Sequence, residues 1–427
     1  MQKHIVVSPP ETAVNVRTVT TPRGLPFWLV ESYAVPLVSL EFAMRGGAAQ
    51  DPPEKAGLGM LMANLLDEGA GELDSQAFQR ALDETAIELS FHNDRDHVGG
   101  RMRTLVKNLE RAAELFRLAV NAPRFDEEPF LRVREQVNAR LRQDANDPGA
   151  VAAKTWKMNA FPGHAYGRPC EGTLETLAQI EPQDLGAVAK RVVARERLVI
   201  AVVGAIDETG AAALVDKAFA DLPERADLMP VAEAPFGPLG KVDVVDLDVP
   251  QSTIRFGRPG LMRDDPDHIA SVVAAHVLGG PGNMTSRLFR EVREKRGLAY
   301  TVFGNFHALD HGAYYYGGTT TKNERARESF DVALSEIRDV ALNGLSEEEL
   351  EKGKTYLIGS YPLRFDTSVK IASQLVHIQL EGRSPDWLVE RNRLIAAVTK
   401  ESLKRAAERA FGDGALYTTV VGRPEGF

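Results

Sequence analysis

Three short stretches hold the residue types from which a reactive site could be built. "HALDH" places His307 and His311 four apart with Asp310 between them. "HNDRDH" gathers His92, Asp94, Asp96 and His97. "REKRGLAY" opens on Arg293 and closes on Tyr300, between the glycine-rich run Gly279-Gly280-Pro281-Gly282-Asn283 and the β-like run Thr301-Val302-Phe303.

Two histidines four apart can share a metal ion when they ride one helix. "HALDH" lies instead between two β-rich runs, and Asp310-His311-Gly312 is turn chemistry. Off a helix, positions i and i+4 are not brought together. On a strand, His92, Asp94 and Asp96 share one face and His97 points the other way, so "HNDRDH" is expected to be a solvated strand face. No G-x-S-x-G elbow is present. Cys170 sits in the Gly/Pro-rich "YGRPCEGT" without a nucleophile signature, and "GGPGN" lacks the Lys-Ser/Thr ending of a phosphate loop. No stretch amounts to a self-contained catalytic centre. The question is then what Arg293 and Tyr300 are for.

The elements that hold such residues are those of an ordinary globular protein. The chain has 427 residues, 44% hydrophobic and 26% charged, enough for two or three domains with substantial cores. A net charge of -9 without a basic block argues against nucleic acid. A single cysteine excludes an internal disulfide and a Cys-rich zinc site. No apolar run approaches the roughly 20 residues of a membrane span. Met1 to Ile5 show no signal-type core, so the cytoplasm is the default compartment, with the periplasm open if a leader was removed.

The chain repeats itself. Asp51-Pro52 recurs as Asp265-Pro266, 214 positions on, and Lys107-Asn108 as Lys322-Asn323, 215 on. Phe125 to Glu128 matches Leu345 to Glu348 at 220; Leu185 matches Leu403, and Val202-Val203-Gly204 matches Val420-Val421-Gly422, at 218. A near-constant offset in constant order is the signature of duplication. Residues 222–241, with Pro223, Pro230, Pro235 and Pro238, read as a linker between domains at 1–221 and 242–427. Residues 27–44 read as a hairpin turning at Tyr33 to Pro36, Phe91 to Met102 as one strand, and the Leu58, Leu61, Met62, Leu65 spacing as a helix. A long amphipathic helix runs through Leu105, Leu109, Ala112, Phe116 and Ala119, and Ser346 with Glu349 forms a capping box. The expected class is α+β: two homologous domains, each a mostly antiparallel sheet packed with helices.

"GGPGNMTSRLFREVREKRGLAYTVF", residues 279–303, resembles the second domain of the M16 metallopeptidases, the pitrilysin and mitochondrial-processing-peptidase-like enzymes. "GGAAQDPPEKAGLGMLMANLLDEGAG" is similar to the opening of that family's first domain, and "FPGHAYGRPCEGT" to its loop after the long helix. The likeness covers nearly the whole chain and implies a half clamshell. The family's zinc motif is His-x-x-Glu-His. Aligned on Gly57 and Gly69, Met60 and Asn64 stand for the histidines, Ala63 for the glutamate, and Arg140, to within a few residues, for the third ligand. None suits zinc, so the resemblance implies a chain without metal or cofactor of its own. It also implies that Arg293 and Tyr300 are an intact pair serving, in trans, the zinc site of a partner that carries the motif. There the tyrosine would steady an oxyanion and the arginine a substrate carbonyl. The expected partners are a zinc-motif subunit, as a heterodimer or a dimer of heterodimers, and an unfolded peptide. Two alternatives stay open: a structural or peptide-binding scaffold without catalytic role, and a stand-alone enzyme using "HALDH" or "HNDRDH". Residues 359–375 either line the second domain's inner face or belong to its core.

Overall fold

The computed structural model describes residues 14–427. Among the described residues eleven strands form two sheets. In the first half lie β1 (Arg17–Thr20), β2 (Pro26–Glu31), β3 (Leu37–Arg45), β4 (Glu88–Asn93), β5 (His97–Leu105) and β6 (Val199–Gly204). In the second lie β7 (Val242–Asp246), β8 (Gln251–Pro259), β9 (Ala299–Leu309), β10 (Gly312–Lys322) and β11 (Tyr417–Gly422). The first-half helices are α1 (Leu58–Asn64), α2 (Ser75–Thr85), α3 (Leu109–Asn121), α4 (Glu127–Asp144), α5 (Pro148–Ala160), α6 (Leu174–Leu177), α7 (Pro182–Val192) and α8 (Glu208–Phe219). The second-half helices are α9 (His268–Gly279), α10 (Ala326–Asn343), α11 (Glu347–Gly359), α12 (Ser368–Leu380), α13 (Trp387–Ala396) and α14 (Lys400–Phe411).

The sheet orders are β1-β2-β6-β3-β5-β4 and β7-β11-β8-β10-β9. Apart from the extra β1 they are the same order, with one parallel pair each, β2 with β6 and β7 with β11. The duplicated sequence therefore builds duplicated topology. Caps follow the repeat: Asp126 precedes α4 as Ser346 precedes α11, where the Ser346–Glu349 capping box closes.

Two sequence expectations need correcting. Residues 27–44 are not a hairpin, because β6 inserts between β2 and β3 and pairs with both. A connection as short as Tyr33–Pro36 normally joins neighbours, but β6 arrives from far along the chain to split them. Phe91 to Met102 is not one strand: the chain reverses at Asp94–Asp96, and β4 and β5 pair as an antiparallel hairpin. His92, Asp94 and Asp96 thus share no strand face.

One face of each sheet is covered by helices of its own half; in the first, Leu214, Val215 and Phe219 of α8 share a core with Phe27, Leu29 and Phe42. The other face is covered by a helix from the opposite half. Helix α12 lies across β6 and β3, packing Ala372, Leu375 and Val376 onto Trp28, Val30, Ala201 and Val203. Within residues 359–375, Tyr361 and the α12 residues Ala372 and Leu375 therefore join the cluster that covers the first sheet. Reciprocally, α5 lies on β8 and β11, and its Trp156 is buried among Phe161, Tyr314, Tyr316 and Tyr417. Residues 223–241 hold neither helix nor strand, yet are tied to both halves through Met229 N–H to Gln50 (2.7 Å) and Ala234 N–H to the His311 carbonyl (2.7 Å).

Candidate functional site

The segment that carries Arg293 and Tyr300 is anchored from below. The glycine run ends α9: Asn283 donates to the His276 carbonyl at 3.0 Å, and Gly282 takes φ 74 in the turn. Arg287 then forks onto both oxygens of Glu349 at 2.8 Å and reaches Asp339 at 2.5 Å, pinning the segment to α11 and α10. Glu291 receives Lys295 (2.7 Å) and Arg296 (2.9 Å). Burial opposes its charge, but these donors overrule burial and hold the carboxyl well below the usual range.

Both candidate residues occupy local irregularities. Arg293 lies in a π-helical turn, Phe289–Glu294, where Lys295 N–H reaches back five residues to the Arg290 carbonyl. Tyr300 is a bulge: Thr301 pairs with Thr320 and Ala299 with Thr321, leaving Tyr300 without an opposite residue. Bulges re-aim a side chain away from the regular pleat. Here the ring stands 79% exposed on β9, the outermost strand of its sheet.

The Arg293 guanidinium carbon lies 4.4 Å from the Tyr300 ring centre and 4.8 Å from that of Phe289. The fork is held between two aromatic faces. Its basic neighbours Arg287, Arg290, Lys295 and Arg296 are all paired with carboxylates; among the described residues Arg293 has none. A positioned, half-buried guanidinium with unused donors, beside an exposed phenol, can receive an anionic or carbonyl oxygen. The bulge and the π turn leave no mark in a one-dimensional pattern, but Phe289, one helical turn before Arg293, could have been read from spacing.

In the first half, α1 starts at Gly57, whose φ of 97 favours glycine, and the buried Asp51 carboxylate accepts from the amides of Gly57 (3.0 Å) and Gly59 (2.9 Å). On this helix Met60 and Asn64 share a face, Asn64 Nδ2 standing 3.5 Å from Met60 Sδ, while Ala63 is buried. Arg140, on α4, is exposed and faces Asp144 at 3.8 Å. This set offers a thioether, an amide, a methyl and a cation. It does not fit zinc.

The two histidine stretches do meet, at their turns. Asp96 accepts from Tyr166 Oη (2.7 Å) and from Asp310 N–H (3.1 Å), and the Asp310 carboxylate faces Arg45 (3.3 Å), His97 (3.6 Å) and Arg263 (3.8 Å). Asp310 and His311 form the β9–β10 turn, as their turn-favouring residue types imply. Among the described residues no three His, Cys, Asp or Glu side chains are grouped to hold a metal ion. Burial pushes the Cys170 thiol up, away from thiolate reactivity.

The model of the peptidase M16 inactive domain matches residues 179–357, the stretch that contains Arg293 and Tyr300. Over that stretch the chain is similar to the M16 peptidase family. It is 26% identical over 346 residues to the non-peptidase homolog YmxG of Helicobacter pylori, covering 79% of this chain and 78% of that protein. It is 25% identical to an uncharacterized zinc protease of Streptomyces coelicolor, covering 93% and 88%. The crystal structure of a peptidase M16 inactive domain from Pseudomonas fluorescens superposes with a TM-score of 0.89 at 24% identity, covering 96% of this chain and 98% of that one, a likeness of fold. No described helix is long and apolar enough to cross a membrane.

Proposed function

We propose that this chain is an M16 member, the non-catalytic, substrate-handling subunit of a heteromeric zinc metalloendopeptidase. It lends Arg293 and Tyr300 to the zinc site of a partner bearing His-x-x-Glu-His. The observation that carries the reading is the free Arg293 fork stacked between Phe289 and the bulged, exposed Tyr300. A purely structural pair would gain nothing from leaving a guanidinium unpaired among paired ones.

The division of labour follows from the chemistry present. Met60, Ala63 and Asn64 cannot hold zinc or activate water, so both tasks fall to the partner. Hydrolysis of a peptide bond builds negative charge on the carbonyl oxygen, and the Tyr300 hydroxyl is free to donate to it. Arg293 donates to a neighbouring substrate carbonyl. An extended peptide adding to the partner's sheet edge is held through its backbone, with little demand on sequence. The domains at 1–221 and 242–427, joined through 222–241, would each form one wall of this half of the chamber.

The test is cleavage of fluorogenic peptides by this chain, by a zinc-motif relative from the same source, and by the two mixed. Activity only in the mixture, lost with chelator and with Tyr300→Phe, supports the reading. A relative that is fully active alone and unaffected by this chain refutes it in favour of a scaffold.

A further inference from the structure

The two sheets share a topology but not their covers. In the first half, β2 carries β1 antiparallel on its outer edge, with Arg17 opposite Leu29 and Val19 opposite Phe27. Helix α8 lies over the same side, and Phe27 and Leu29 are fully buried. Among the described residues the equivalent strand, β7, carries neither. Leu29 pairs with Val202 as Val244 pairs with Val420, so Val242 and Val244 stand where Phe27 and Leu29 stand. They are 39% and 49% exposed.

Among the described residues the edge is open in its backbone too. The Lys241 carbonyl accepts from Thr418 N–H at 3.0 Å, which turns the polar groups of residues 241, 243 and 245 toward β11. By alternation those of Val242, Val244 and Asp246 point outward. Charge matches the same template. Arg17 of β1 bonds Glu31 at the end of β2 (2.7 Å) and also reaches Glu208. Asp246 occupies the place of Glu31, and it shares a single Arg423 with Asp248, at 3.0 and 2.8 Å. Two carboxylates to one guanidinium leave a negative charge at the end of the open edge.

We propose that the outer edge of β7 docks an extended segment of a partner protein. The segment adds antiparallel, with a basic residue opposite Val244 and, two positions on, an apolar residue opposite Val242. Within this chain β1 is the template for such a segment: Arg17-Thr18-Val19-Thr20 makes these contacts on β2. An edge left merely guarded would present charge rather than valines along its length. The site is separate from the Arg293 and Tyr300 pair, because β7 and β9 are the two opposite edges of one sheet. It therefore stands or falls apart from the peptidase reading.

The probe is a synthetic peptide with the sequence of residues 15–22, added to the full chain and read by backbone amide exchange. The expected result is slowed exchange at Val242, Val244 and Asp246, with binding weakened at least about tenfold when the peptide arginine is replaced by glutamate. Val244→Pro removes an outward N–H that β11 does not use, a change edge strands tolerate, and should abolish the protection. Asp246→Lys serves the same end by charge should the proline variant not fold. No protection at β7 with saturating peptide, equal binding of the glutamate peptide, or protection that persists in the variants would overturn the proposal.

Discussion

The backbone N–H of Asp310 donates to the carboxylate of Asp96 at 3.1 Å, and the two aspartates are 214 positions apart, the offset that separates the halves of the chain. Each sits in the hairpin turn at the same place of its own sheet. The duplicated turns thus join the halves at a point of near symmetry. The Asp96 carboxylate also takes the Tyr166 hydroxyl, which in turn accepts from His311 N–H at 2.9 Å.

Replacing Asp96 by alanine leaves the Tyr166 hydroxyl and the Asp310 N–H buried without this acceptor. The expected cost is about 2–3 kcal/mol, seen as a lower urea midpoint. A midpoint unchanged in Asp96→Ala would mean that the junction contributes nothing to stability.

Trp156 is a second tie, since a first-half helix buries it among second-half tyrosines and its Nε1 donates to the Tyr417 carbonyl at 3.1 Å. Trp156→Ala should cost about 3–5 kcal/mol. Limited proteolysis should then cut the chain within 223–241 faster than in the parent protein.

The Tyr315 hydroxyl is fully buried and has no hydrogen-bond partner among the described residues. Removing it should help: Tyr315→Phe is expected to be neutral or to raise stability by up to about 1 kcal/mol, because an unpaired buried polar group costs that order. A clear loss in thermal denaturation would show that the hydroxyl is satisfied after all.

Asp51 supplies a pH dependence. Burial pushes its carboxyl up to about 7, despite the amides that favour its charge. The unfolded chain deprotonates it near pH 4, so between about pH 4 and 7 the folded state binds the extra proton and stability falls as pH rises. Burial also lifts Asp67, to about 6, in the same direction. Melting temperature against pH should decline over this window, and Asp51→Asn should make the decline shallower.

Tyr300→Phe and Arg293→Ala touch no core. Each should change folding stability by less than about 0.5 kcal/mol, while lowering the activity of a reconstituted complex on the order of 10²-fold. Equal loss of both would assign the pair a structural role.

Much of this molecule was legible in one dimension. The offset of 214 to 220 fixed the duplication, and the turn residues at Asp310-His311 and the capping box at Ser346 were read correctly because they are local chemistry. That Met60, Ala63 and Asn64 are neither His nor Glu was likewise plain, being a matter of residue type alone. What tertiary structure alone decided are the long-range pairings. Strand β6 splits the apparent hairpin of β2 and β3, α5 and α12 each cover the other half's sheet, and the bulge lifts Tyr300 into solvent beside Arg293. Periodicity tells which face of an element is apolar. It does not say which distant surface will cover that face, because the hydrophobic effect rewards burial without regard to the partner.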